Sequence, residues 1–473
     1  MDRPVGNDTA MSVVAPSPKI APARRCAYTV LRRVFERGAY ADRALQAESK
    51  QLDARDRALA MRLAYGAVQR RLTLDHLISL FTERSPERLD PPVLAALRLG
   101  LYELLYLRSA PDHAVVADAV ELAKTQGRSG HGLVNAVLRR GAREGAALLD
   151  ALTDDTPERA SVKHSHPEWI ARLWWQELGP DAARALMMSD NEPGEVALRA
   201  NTLLTDAPTL AAQLRGGDPP VVTHSDLKIP EALVLEGQFD VHGSALWRAG
   251  AFIAQSRAAM LVARVLAPEP GERVLDLCAA PGGKSTHLAA LMQGRGEVLA
   301  VERNPARAGA LARTAQRLHA GNVRIEVADA AHLRPEGPVF DRVLVDPPCS
   351  GLGTLQARAD LRWRVTPETI AEMARTQAAI LDAGAQALRP GGVLVYSTCT
   401  ISSSENEFLI ASFLDSHPDF DLDDLAADRS TIGQPDFALA PAMGAETRPG
   451  LVLTLPHRDH TAGFFIARLR RRS

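Results

Sequence analysis

The sequence predicts an α/β protein built of three parts in series. An all-α bundle comes first, a small α+β module second, and a Rossmann-like doubly wound sheet of about seven strands last. Three observations predict this. From Arg273 onward, short apolar runs alternate with helical patterns, which is how a parallel sheet with crossover helices reads. Val274 to Ser285 reads as strand, glycine turn and helix. Before residue 146 the apolar residues recur at helical spacing, and no alternating strand pattern is present.

The elements follow in order. Residues 1–20 are rich in Pro, Ser, Ala and Val and lack a basic start before an apolar core, so a disordered tail is expected rather than a signal peptide. Residues 21–145 form the bundle. Ala23–Arg37 puts Tyr28, Leu31, Val34 and Phe35 on one face. Asp53 stands as an N-cap before a helix carrying Leu59, Met61, Leu63, Ala64, Val68 and Leu72. Pro91-Pro92 opens a run to Leu107 that is apolar nearly all round, the pattern of a central helix. Two further helices cover 112–125 and 131–143. Residues 146–165 read as a linker and 166–250 as the α+β module, whose tryptophans Trp169, Trp174 and Trp175 read as core. Residues 251–473 hold the sheet, with strands at 274–277, 298–301, 323–327, 343–345 and 393–396. An antiparallel pair, 451–455 and 464–469, closes it.

Composition sets bounds. The 473 residues carry a net charge of −2, so any nucleic-acid surface has to be local. Residues 1–150 hold 23 Lys/Arg against 17 Asp/Glu, an excess of 6, with paired arginines such as Arg24-Arg25 and Arg139-Arg140. No apolar run is long enough to span a membrane. The 4 cysteines, widely spaced, fit neither a disulfide framework nor a zinc site and suggest a reducing cytoplasm. No obligate protein partner is evident, and a monomer is expected.

The chemistry gathers at the strand ends, where ligands sit in such sheets. The turn Cys278-Ala279-Ala280-Pro281-Gly282-Gly283-Lys284 has only two glycines and matches neither a Walker loop nor G-x-G-x-x-G. It suits a cofactor without phosphates, S-adenosyl-L-methionine. Glu302, Asp329 and Asp346 end the next three strands, and the first is placed to accept from ribose hydroxyls. Asp346-Pro347-Pro348 is a loop that methyltransferases place beside the methyl donor, and Cys349 stands where amino-group methylases carry an aromatic residue. Cys399 ends the fifth strand. A thiolate adding to carbon 6 of a cytosine would make carbon 5 nucleophilic, so two thiols at this edge suit carbon methylation. The residues themselves do not rank Cys349 and Cys399. Lys284 is expected to favour the thiolate.

These stretches, with Tyr396-Ser397-Thr398-Cys399, Glu405-Asn406-Glu407 and the helical front ending Val134–Arg140, resemble the RNA cytosine-5 methyltransferases. The likeness is to the bacterial 16S ribosomal RNA enzymes with a NusB-like domain in front. The resemblance implies that Cys399 is the nucleophile, that Cys349 assists release, and that Asp346 also holds the cytosine. It implies that Cys278 to Lys284, Glu302, Asp329 and Asp346 bind S-adenosyl-L-methionine, with 16S rRNA as partner. Glu302 and Asp346-Pro347-Pro348 stand where many relatives have Asp and Asp-Ala-Pro, and Ala462 where an Asp is frequent. His457, Asp459 and His460 read as solvent-facing rather than as metal ligands. Two rivals stand beside this reading: an amino-group methyltransferase using Asp346-Pro347-Pro348, and a non-enzymatic NusB-like RNA-binding factor.

Overall fold

The computed structural model describes residues 20–125, 130–226, 228–237, 239–333, 337, 339–425 and 450–473. The tail expected over 1–20 lies outside these, except for Ile20, which is buried. The polar stretch 426–449 lies outside them too. The chain forms two compact units that divide between Ala151 and Leu152.

The first unit is all helical: α1 (Pro22–Arg37), α2 (Ala41–Glu48), α3 (Ala54–Gln69), α4 (Arg71–Thr82), α5 (Pro91–Tyr102), α6 (Asp112–Lys124) and α7 (His131–Asp150). Asp53 caps α3 by accepting from the Asp56 N–H. The run expected to continue through Leu72 breaks at Arg70, so it divides between α3 and α4. The Pro91 run is buried as expected, with Val93, Ala96, Leu97, Leu99 and Leu101 inside, but its α-helix ends at Tyr102 and the expected remainder is a π turn, Glu103–Leu107. Glu103 is buried there because Arg24 donates to it at 2.6 and 2.7 Å, while the same guanidinium reaches Asp118 at 2.8 Å. Gly100 lets α7 approach, since a methyl group at that position would stand 2.6 Å from Leu138 Cδ1.

The second unit begins with α8 (Pro157–His164), α9 (Glu168–Leu178) and α10 (Pro180–Ser189). Two expected boundaries shift. The linker expected at 146 is still α7 as far as Asp150, and most of the rest is α8, which Thr156 caps. Trp174 is fully buried in the core shared with the large sheet, and Trp169 and Trp175 pack against it.

The small sheet has the order β2-β3-β1-β4, all antiparallel: β1 (Ala197–Ala200), β2 (Val222–Ser225), β3 (Ala232–Glu236) and β4 (Phe252–Ala254), with α11 (Ala207–Arg215) on it. Because β4 pairs with β1, the module runs past the boundary expected at 250. The non-local register Leu198 to Ala254 is what decides this.

The large sheet has eight strands rather than about seven. Its path is β10-β12-β9-β8-β5-β6-β7, with β11 paired to β12 off that path. The strands are β5 (Arg273–Leu277), β6 (Glu297–Val301), β7 (Val323–Glu326), β8 (Phe340–Val345), β9 (Leu388–Thr398), β10 (Phe420–Leu422), β11 (Leu451–Thr454) and β12 (Phe464–Arg471). β9, β8, β5, β6 and β7 run parallel, and β12 is antiparallel to β9. Helices α12 (Ala245–Arg248) and α13 (Arg257–Leu266) precede it, and α14 (Gly283–Leu291), α15 (Pro305–Arg317), α16 (Pro367–Ala387) and α17 (Glu407–Ser416) make its crossovers. The chain passes from β5 outward through β6 and β7, then returns to the other side of β5 as β8. That reversal opens a crevice beyond the tips of β5 and β8.

Candidate active site

The site is built where β5, β8 and β9 end. Leu277 pairs with Val345, and Val345 with Tyr396, so the residues that follow each emerge side by side. Cys278 leaves β5 at φ +67°, a left-handed turn that a non-glycine residue adopts reluctantly. Gly282 follows at φ +101°, and a Cβ there would stand 2.5 Å from Leu311 Cδ1. The turn therefore hugs α15, and α14 starts at once, at Gly283. Ala279 and Ala280 pack against Ala300 and Leu311, the Ala279 N–H donates to the Val301 carbonyl at 2.9 Å, and the Ala280 carbonyl accepts from Arg307 at 2.9 Å.

Three side chains join the turn to the thiols. Lys284 Nζ donates to Asp346 Oδ2 at 2.7 Å, and Ser397 Oγ donates to Asp346 Oδ1 at 2.8 Å. Burial works against the Lys284 charge, but Asp346 outweighs it and holds the ammonium above its ordinary pKa. The Pro281–Gly283 turn and the β9 tip thus lie on one edge of the sheet. Cys349 Sγ and Cys399 Sγ stand 3.2 Å apart, both half-buried. The hydrogen bond from Cys349 draws the Cys399 thiol down against the pull of burial, with Arg358 and Lys284 adding positive potential. The same contact, with burial, pushes Cys349 well up. The contact thus makes Cys399 the more readily ionised of the two sulfurs. Cys278 is different: burial, with Asp346 behind it, pushes its thiol up to about 12, so it is inert as a nucleophile.

A buried polar brace fixes the Cys349 loop. Glu405 accepts from the Ser350 N–H at 2.8 Å, from the Ser350 hydroxyl, and from Gln377 Nε2 at 2.9 Å. Gln377 also donates to the Pro348 carbonyl at 2.9 Å, and the Tyr396 hydroxyl donates to the Glu405 carbonyl at 2.7 Å. Gly353 donates to the Cys399 carbonyl at 3.0 Å and lies so close to Gly463 that a Cβ on it would stand 2.0 Å from the Gly463 oxygen. Asn406 ties Thr398 to the Thr400 carbonyl at 2.6 and 3.0 Å.

The acids further along the sheet are less tightly held. Glu302 is buried at the end of β6, where it accepts from the Asn304 N–H at 2.8 Å. Asp329 caps the turn Ala330–His332 by accepting from Ala331 at 3.1 Å and keeps its other oxygen near His332. Asp276, buried behind the turn, accepts from Ser285 Oγ at 2.6 Å; burial pushes its carboxyl up to about 7. Glu302, Asp329 and Asp346 ring the strand tips with negative charge. That donor set repels a phosphate-bearing cofactor and suits a cationic nucleoside such as S-adenosyl-L-methionine.

Sequence reasoning named the turn, the acids and both cysteines. It gave no part to Arg199, Arg358 or Gln377. Arg199, fully buried on β1, donates to the Gly283 carbonyl at 2.5 Å and to Thr286 Oγ1 at 3.0 Å, so the small sheet steadies the turn. A lone arginine inside the apolar stretch Val196–Ala200 was the available signal. Asp459 accepts from the Leu455 N–H and pairs with Arg458. Among the described residues no group of three His, Cys, Asp or Glu side chains is placed to hold a metal, and no helix is long and apolar enough to cross a membrane.

Comparison with known proteins agrees with this architecture. The family described as 16S rRNA methyltransferase RsmB/F matches residues 263–470. The NusB family matches 21–143, and an RsmF/B-like ferredoxin-like domain matches 166–242. A probable ribosomal RNA small subunit methyltransferase B of Bacillus subtilis (strain 168) is 34% identical, covering 95% of this chain and 98% of its own length. The crystal structure of PH0851 superposes with a TM-score of 0.78 at 27% identity, covering 96% of this chain and 100% of that one. NSun6 from Pyrococcus horikoshii, crystallised with SFG, gives a TM-score of 0.57 at 25% identity over 65% of this chain and 98% of its own.

Proposed function

The chain belongs to the 16S rRNA methyltransferase RsmB/F family, and on that premise we propose that it methylates carbon 5 of a cytosine in 16S ribosomal RNA through a transient bond between Cys399 and carbon 6. The observation that carries this reading is the 3.2 Å separation of the two sulfurs at the tips of β8 and β9. A methylase of exocyclic nitrogen needs neither thiol.

The Cys278–Lys284 turn, Glu302, Asp329 and Asp346 would hold S-adenosyl-L-methionine, which when bound supplies an electrophilic methyl group. The Cys399 thiolate adds to carbon 6 and forms a carbon–sulfur bond. The electron pair of the 5,6 double bond moves onto carbon 5, which becomes an enamine-type nucleophile. Asp346, held by Lys284 and Ser397, would accept a hydrogen bond from the 4-amino group of the cytosine and so orient the ring over Cys399. After carbon 5 carries the new methyl, a water molecule takes the carbon 5 proton, the C–H electron pair re-forms the 5,6 double bond, and the carbon–sulfur bond breaks with its electron pair returning to Cys399 as thiolate. Cys349 touches that leaving sulfur and donates a hydrogen bond to it as the charge returns. The target base must be unstacked to reach thiols recessed at a strand tip.

The test is mass analysis of nucleosides from unmodified 16S rRNA incubated with the protein and the methyl donor. The reading expects 5-methylcytidine. An N-methylated nucleoside, or no methylation with intact donor binding, overturns it.

A further inference from the structure

We propose that Arg358 is the phosphate anchor of the target nucleotide, gripping the phosphate on the 5′ side of the cytosine that meets Cys399. This rests on the reading above. Three arginines follow the Cys349 loop closely. Arg362 is buried and donates to the carbonyls of Ser165 and Asp190 at 3.1 and 2.9 Å. Arg364 pairs with Asp360. Arg358 is exposed and, among the described residues, has no ion pair. Its guanidinium lies against the Gly351 turn. Nη1 lies 3.5 Å from where a Cβ on Gly351 would stand, so it rests on a turn two residues from Cys349 that has no side chain to push it away.

The backbone that carries Arg358 is clamped to the nucleophile's strand. The Arg358 N–H donates to the Thr354 carbonyl at 2.9 Å, and Gly353, one residue before Thr354, donates to the Cys399 carbonyl at 3.0 Å. The positive charge is felt at the nucleophile, since Arg358 is among the groups that draw the Cys399 thiol down. The other nearby cation, Lys284, is already engaged by Asp346.

The chemistry of the substrate then selects what Arg358 meets. In an anti pyrimidine nucleotide, carbon 6 is the ring atom nearest the 5′-phosphate. A sulfur bonded to carbon 6 therefore brings that phosphate to its own side of the ring. A planar guanidinium with two free N–H edges matches a phosphate bidentately.

The experiment compares the full-length protein with Arg358→Gln and Arg358→Lys on an unmodified 16S rRNA transcript, measuring direct RNA binding and steady-state methylation at several salt concentrations. Removing one single-stranded phosphate contact lowers the slope of log affinity against log salt by about 0.7. For Arg358→Gln, KM for RNA rises about 10-fold or more, kcat at saturating RNA falls less than about 3-fold, and KM for S-adenosyl-L-methionine stays as it was. Arg358→Lys restores the slope but only part of the affinity, because the point charge remains and the fork is lost. An unchanged slope and unchanged KM for RNA in Arg358→Gln overturn the anchor. A lost slope in a protein whose product is not 5-methylcytidine shows a phosphate contact at Arg358 but overturns both its assignment to a cytosine at Cys399 and the reading it rests on.

Discussion

Lys284 Nζ lies 2.7 Å from Asp346 Oδ2, and this pair welds the glycine turn of β5 to the loop that carries Cys349. Asp346 spends its other oxygen on Ser397, two residues before Cys399. The β5 turn, Asp346 and the tip of β9 are thus joined through one carboxylate. Lys284→Met strands a carboxylate that has lost its cation, so kcat/KM falls by about 10²-fold or more, as for removal of a transition-state hydrogen-bond partner. Lys284→Arg recovers part of it. Steady-state kinetics with RNA and methyl donor varied separately check this.

Cys399 ionises more readily than an ordinary thiol, and Cys349 is the first reason. Peptide-resolved alkylation of Cys399 against pH has a midpoint below that of a free cysteine peptide measured alongside. Cys349→Ala removes the donor, and the midpoint moves up. Cys278 stays unreactive across the same range because burial holds its thiol near about 12.

The Glu405 brace makes a stability prediction. Glu405→Ala strands the Ser350 N–H, the Ser350 hydroxyl and Gln377 Nε2 in a buried place. Chemical denaturation of this unit shows a loss of about 1–3 kcal/mol for each donor left without a partner or water, and methylation falls with it as the Cys349 loop loosens. Gly353→Ala costs about 1–3 kcal/mol or more through overpacking, because the Gly463 backbone cannot withdraw without releasing β12.

Asp276 predicts a pH dependence. Burial raises its folded pKa to about 7, while the unfolded chain has an ordinary carboxyl near about 3.9. The folded state holds the extra proton between these values. The contribution of Asp276 is therefore fully present below about pH 4 and is lost as pH rises to about 7. Asp276→Asn removes this dependence, so its denaturation midpoint relative to the native protein improves from pH 4.5 to pH 7.5. A constant difference across that range contradicts the assignment.

Much of this was legible in the residues because local signals and tertiary structure agree. The β5 turn declares itself through Pro281-Gly282-Gly283, and Glu302 and Asp346 each follow directly on an apolar run. Asp53 caps α3 as its position suggests. What stayed hidden depends on partners far away in the chain. Phe252–Ala254 looks like a lead into α13 until β1 is there to pair with it. The helix through Leu72 breaks at Arg70 without a Gly or Pro to announce it. Glu405 was recognisable as part of a motif, but its role appears only when Ser350 and Gln377 close around it. Arg358 looks like any surface arginine until its guanidinium is seen against Gly351, two residues from Cys349.

The central claim is that one sulfur, Cys399, bonds to the base while Cys349 serves its release. Peptide mass spectrometry on the Cys349→Ala protein after incubation with 16S rRNA and methyl donor tests it most directly. The account predicts a stalled covalent complex, with a methylated cytosine nucleotide attached to the peptide that contains Cys399. Free protein with no adduct, or an adduct on a different residue, contradicts it.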